Sequence, residues 1–127
     1  MLGMMRVRYI EALSFQKTFK KLLKKYPSLR DDLEVAKVNA IELFHLSKID
    51  NKSVFRITGI APADIESYVV KKFACKSLKG SGVQSGIRLT YIYLPKLQEI
   101  VLIEIYHKNT SDIEDKSLIQ EYIDENL

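Results

Sequence analysis

The sequence predicts an α+β domain, a small antiparallel sheet with helices packed mainly on one face, in the order β-α-α-β-β-β-α. Three observations predict it. Residues 85–108, SGIRLTYIYLPKLQEIVLIEIYHK, alternate through Ile87, Leu89, Tyr91 and Tyr93, break at Leu94-Pro95-Lys96-Leu97-Gln98, and resume through Val101, Ile103 and Ile105, which is the pattern of a β-hairpin. Two stretches before it space their apolar residues at helical period. The chain closes on a further amphipathic run.

In chain order, Val7-Arg8-Tyr9-Ile10-Glu11 is a short β-prone segment. Ser14 then precedes FQKTFKKLLKKY, whose apolar residues at 15, 19, 22, 23 and 26 share a helix face. Ser14 is the expected N-cap, and Pro27 ends the helix after Tyr26. Ser28 is expected to cap a second helix: acids at 31, 32 and 34 suit its N-terminal dipole, and Leu29, Leu33, Val38, Ile41 and Leu46 recur at helical spacing. His45, near its end, reads as a structural imidazole that satisfies helix-terminal carbonyls. Residues 47–67 read as a loop region that includes an irregular strand around Val54–Ile57. Tyr68–Leu78 reads as the first strand of a central meander, with Val69, Phe73 and Cys75 toward the core, followed by the flexible connection LKGSGVQSG. After Lys108 a polar turn leads into DIEDKSLIQEYIDENL, an amphipathic helix capped by Thr110 or Ser111.

With 127 residues, 46% hydrophobic and 28% charged, residues 1–127 fit one domain able to bury its own core. No apolar run approaches the ~20 residues of a membrane span, and Glu11 interrupts the N-terminal segment before any stretch of signal-peptide length. The expectation is a cytoplasmic protein with no membrane partner. The single cysteine, Cys75, forms no internal disulfide and reads as a small core side chain. The glycines of GSGVQSG lack the lysine-containing pattern of a phosphate-binding loop, and no helix follows them, so a hairpin connection accounts for them.

Charge is unevenly placed. Residues 1–30 hold eight Lys/Arg against one acid, 31–68 four against seven, 69–96 six against none, and 97–127 two against eight. A run of six bases without a carboxylate is the footprint of a polyanion-binding surface, or of lysines that keep a sheet from pairing with others. The lysines of the first helix read as a solvated face. If Ile87, Leu89, Tyr91, Tyr93, Val101, Ile103 and Ile105 face the core, then Arg88, Thr90, Glu104, Tyr106 and Lys108 share the opposite face, joined by Lys72 and Lys76 of the preceding strand. His107 reaches that surface only where the strand end frays or twists.

The element order, with KSLKGSGVQSGIRLTYIY and IVLIEIYHKNTSDIEDKSLIQEYI, resembles the RelE/ParE superfamily of type II toxin–antitoxin toxins across almost the whole chain. The most specific points are Gly86-Ile87-Arg88 opening one strand and Tyr106-His107-Lys108 ending the next. The resemblance implies a ribosome-dependent, metal-independent mRNA endoribonuclease without cofactor, in which the RNA 2′-hydroxyl attacks the neighbouring phosphate, held inactive by a cognate antitoxin. It makes Arg88 the phosphate-stabilising cation, His107 the proton donor, Glu104 a base or an ion-pair partner, and Tyr106 a group that orients or stacks a base. Lys72, Lys76, Lys79 and Lys108 become RNA contacts. The same resemblance leaves open a ParE-like gyrase poison and a non-catalytic RNA- or antitoxin-binding module. Asn109 stands where several relatives of this type carry an arginine.

Overall fold

A computed structural model describes residues 6–111 and 113–127. Met1–Met5, part of the segment read against a signal peptide, and Asp112, the expected start of the closing helix, lie outside the described residues. Five strands form one mixed sheet: β1 (Arg8–Glu11), β2 (Val54–Ile57), β3 (Glu66–Val70), β4 (Ile87–Leu94) and β5 (Glu99–His107), in the spatial order β1-β5-β4-β3-β2. The neighbours from β5 to β2 are antiparallel, while β1 runs parallel to β5. The fold is therefore α+β as expected, but the sheet has one strand more and is not purely antiparallel. The β4–β5 connection is the four-residue turn Pro95–Gln98, in which Gln98 takes a positive φ of 51°.

Helix α1 (Leu13–Lys25) follows β1, and α2 (Leu29–Ala36) continues without a break into a π-helical stretch (Lys37–Glu42) and a last α-helical piece, α3 (Leu43–His45). These pack Phe15, Phe19, Leu29, Leu33 and Ile41 onto Ile87, Leu89, Tyr91, Ile100, Leu102 and Ile105. The opposite face, expected to be open, carries a second core. There Ile119 and Ile123 of α4 (Lys116–Asn126) cover Ile57, Val69, Ile92, Val101 and Ile103.

A bulge divides β5 between the two cores. Thr90 pairs with Glu104 but Tyr91 pairs with Leu102, so Ile103 is an extra residue with no partner on β4. Val101 and Ile103 consequently face α4, whereas Ile105 rejoins Leu102 under α1. This corrects the expectation that 101, 103 and 105 share one face. Beyond Leu102 the outer edge of β5 has lost its partner, since β1 ends at Glu11. Helix α1 takes over. The Ala12 N–H donates to the Leu102 carbonyl (3.0 Å), Ser14 Oγ donates to the Ile103 carbonyl (2.6 Å), and Thr18 Oγ1 accepts the Ile105 N–H (3.2 Å). Ser14 is thus inside the helix and Ala12 is the N-cap residue.

Three further expectations shift. Only Glu66–Val70 of the meander's first segment is strand; residues 71–86 form a loop with one bridge, Phe73 to Gln84, whose apolar anchors Phe73 and Cys75 enter the first core while Val69 enters the second. Ser28 makes no backbone cap; its hydroxyl donates to Asp32 Oδ2 (2.6 Å). Helix α4 begins at Lys116 with Asp115 as its cap, accepting from the Ser117 N–H (3.0 Å), while Thr110 Oγ1 donates to the His107 carbonyl.

Replacing Thr18 by Val keeps the shape but leaves the Ile105 N–H without an acceptor. A loss of about 1–3 kcal/mol in urea unfolding is expected, with Thr18→Ser restoring most of it.

Candidate functional site

Arg88 lies opposite Tyr106, and Thr90 opposite Glu104, in the β4–β5 register, so the guanidinium, phenol and carboxyl project from one face of two adjacent strands. This is the α4 side. The surface is not open: Arg88 and Glu104 are half-buried and Tyr106 is buried at 6% exposure. The Asp115 backbone lies near enough to the Glu104 carboxyl to act on its pKa, which places the approach to α4 beside it. Burial raises the Glu104 pKa above the ordinary carboxylate value; the Asp115 backbone works against that rise and the Asp115 charge adds to it. Burial likewise pushes the Tyr106 phenol up to about 12; Glu114 adds to the rise and the Arg88 charge works against it.

His107 is on the other face. It pairs with Ile87, one residue out of phase with Arg88, and its ring stacks on Tyr26 at the end of α1 with centroids 6.3 Å apart. Nε2 donates to the Ser85 carbonyl (3.0 Å) and Nδ1 accepts the Asn109 N–H (3.0 Å), so both ring nitrogens are engaged by backbone. Gly86 makes the close approach possible: its φ is +86°, and a Cβ there would lie 2.8 Å from His107 Cε1 and Nε2. The geometry therefore brings together Arg88, Glu104 and Tyr106 and does not bring His107 to them.

The four lysines are exposed, Lys72, Lys76 and Lys79 on the 71–86 loop and Lys108 just past β5. The loop, not a strand, carries the first three, so alternation does not assign them to Arg88's face. Hydrogen bonds tie it to the start of α2: the Lys76 N–H donates to Asp32 Oδ2 (3.2 Å), and both the Ser77 N–H and Ser77 Oγ donate to Ser28 Oγ (2.8 Å each). Lys24 and Lys25 are the basic residues of the last turn of α1, with Lys25 Nζ 5.5 Å from the Tyr26 ring centre. Cys75 is buried, and burial raises its thiol pKa.

At the opposite end of β4 the structure assembles a cluster that sequence reasoning missed. His45 is 4% exposed, and its Nε2 is hydrogen-bonded to Tyr91 Oη (2.8 Å) rather than to a helix carbonyl. Around it stand Phe44, Tyr68 and Tyr93, with ring centroids 4.9, 4.8 and 4.0 Å from the imidazole. Tyr68 Oη donates to Glu66 Oε1 (2.6 Å). Burial lowers the His45 pKa to about 4, against a smaller opposite effect of Glu66. The one signal for this cluster was Tyr91 and Tyr93 at strand spacing on the packed face; Phe44, His45 and Tyr68 come from elements remote in sequence.

Among the described residues no group of three His, Cys, Asp or Glu side chains is placed to hold a metal ion. No protein-family model, curated protein or solved structure matches the chain.

Because His45 titrates near 4 when folded and near 6.5 when unfolded, the unfolded chain binds the extra proton first and stability falls as pH drops through that window. Between pH 7.5 and 5 the loss from this group is about 2 kcal/mol. Urea titrations at the two pH values should show that difference in the parent and a flatter response in His45→Gln.

Proposed function

We propose that this chain is a toxin of the RelE/ParE type that acts on RNA. One observation carries the reading: Arg88, Tyr106 and Glu104, three of the side chains that the resemblance names, occupy one sheet face in adjacent register pairs. The exposed lysines 72, 76, 79 and 108 lie on the segments that flank the β4 start and β5 end, where they supply phosphate contacts. In the cleavage step the 2′-hydroxyl attacks the adjacent phosphorus, Glu104 accepts its proton, and the P–O5′ bond breaks to leave a 2′,3′-cyclic phosphate and a 5′-oxygen that takes up a proton. Arg88 carries the charge that builds on the phosphate oxygens, a role for which a planar guanidinium is better suited than an ammonium. A carboxyl whose pKa is raised by burial is the better base near neutral pH. His107, held by Ser85 and Asn109, has a positioning role at the Gly86 turn in this reading, and solvent water supplies the proton to the 5′-oxygen. The partners are mRNA on the ribosome and a cognate antitoxin.

A second reading follows from the burial of Tyr106 and the proximity of Asp115 to Glu104: a protein of the same fold that binds RNA through its lysines without cutting it.

Expression of the parent protein alone should arrest growth and yield mRNA fragments with cyclic-phosphate ends, and Arg88→Ala should abolish both while circular dichroism stays unchanged. RNA affinity without fragments selects the second reading. Neither arrest nor affinity would overturn both, and a DNA-damage response without mRNA cleavage would select a gyrase poison. In binding titrations across salt, Lys76→Ala and Lys79→Ala should each reduce the slope of log K against log salt by about one.

A further inference from the structure

Helices α1 and α4 cover opposite faces of the sheet, and where both reach its β1 edge they leave an open groove of about 680 Å³ between them. It is bounded by the end of β1, by residues 13–18 of α1 and by residues 118–126 of α4. None of the roles assigned to RNA uses it.

The groove gathers more apolar surface than the fold itself needs. Leu13 is 73% exposed, on the first turn of a helix whose core contacts are made by Phe15 and Phe19. Ile119 and Ile123 are the buried anchors of α4, whereas its Leu118 and Tyr122, like Ile10 of β1, are only half-buried. Those three pack against the second core with part of their surface and leave the rest lining the groove. Scattered singly, such side chains need no explanation, but four converging on one concave surface mark an interaction face.

Its dimensions suit a polypeptide. The α4 wall from Leu118 to Asn126 rises roughly 12 Å, the span of about four extended residues. Alongside runs the outer edge of β1, the last strand of the sheet, which pairs only with β5 among the described residues. The Arg8 and Ala12 N–H groups turn toward β5 and donate to the Gln98 and Leu102 carbonyls (2.9 and 3.0 Å), so by alternation those of Tyr9 and Glu11 face outward. A chain segment can pair with such an edge while its side chains fill the adjoining groove.

The rim sets the charge of that segment. Glu11, Glu121 and Glu125 stand against one base, Lys17, and none of the three carboxylates is in an ion pair among the described residues. Glu121 and Glu125 are four residues apart on one helix face, where like charges repel and a basic neighbour relieves them. The groove is locally acidic on a chain whose net charge is +4, so it steers basic partners to this one place.

We propose that the groove between α1 and α4 docks an extended segment of a partner protein, with apolar side chains against Leu13, Leu118 and Tyr122 and flanking bases against Glu121 and Glu125. The inference stands apart from the RNA reading, because it uses none of the same side chains and its test contains no RNA.

The probe is the N-acetylated, C-amidated peptide Lys-Lys-Val-Leu-Val-Lys-Lys, titrated into the full chain by calorimetry at low salt. One control, Glu-Glu-Val-Leu-Val-Glu-Glu, keeps the apolar centre and reverses the charge; the other, Lys-Lys-Gly-Ser-Gly-Lys-Lys, keeps the charge and removes the centre. The probe should bind at least about tenfold more tightly than either control. Leu13→Ser, and Glu121→Gln combined with Glu125→Gln, should each weaken it at least about fivefold; all three side chains are exposed, so the unfolding midpoint should hold. Equal affinity for the probe and either control, no binding of the probe at millimolar concentration, or full affinity in either variant overturns the proposal. So does self-association of the parent chain in sedimentation that Leu13→Ser abolishes, which assigns the groove to a second copy.

Discussion

The molecule depends on how one strand edge is closed. A parallel neighbour serves β5 only as far as Leu102, and the backbone groups beyond it would be left in the interior without partners, each at a cost comparable to a lost hydrogen bond. Ser14 and Thr18, one turn apart on α1, supply a donor for the Ile103 carbonyl and an acceptor for the Ile105 amide. A helix thereby substitutes for the missing strand at the position where the bulge has already disturbed the ladder. This fixes α1 over β5, and with it Phe15 and Phe19 in the larger core.

The bulge then decides which chemistry meets which face. After Ile103 the alternation resumes with Ile105 under α1 and with Glu104 and Tyr106 beside Arg88. The same resumption sends His107 toward Tyr26, so the imidazole and the guanidinium are separated by the thickness of the sheet. Two ends of one strand acquire different characters as a result. Around Ile87 the surroundings are cationic and tied to backbone by hydroxyls and amides. Around Tyr93 they are aromatic, with carboxylates in excess.

Much of this was legible in the sequence where interactions are local. The hairpin announced itself through alternation and the Pro95 turn, and α1 through the spacing of Phe15, Phe19, Leu22 and Leu23. The bulge was not legible, because IVLIEI offers apolar residues on both faces and satisfies either phase. Nor was the pairing of β1 with β5, which joins segments about ninety residues apart and leaves no local mark. Residues 71–78 misled for a definite reason: Phe73 and Cys75 alternate because a loop drops both into the core, and a loop anchored at every second residue resembles a strand. For the candidate sites, the grouping of Arg88 with Glu104 and Tyr106 followed from alternation, whereas the cluster around His45 draws on Phe44, Tyr68 and Tyr93, whose convergence only the tertiary fold reveals.

The meeting of Gly86 and His107 has a consequence for how such a chain can diverge. Position 86 is constrained twice, by a backbone angle that few side chains tolerate and by an imidazole that fills the room a methyl group would need. Position 107 is constrained by the Tyr26 ring it stacks on and by hydrogen bonds, contacts that other side chains can partly replace. Drift through this pair is therefore one-directional: descendants can exchange the histidine and keep the glycine, but a lineage that loses the glycine must rebuild the turn, whatever stands at 107.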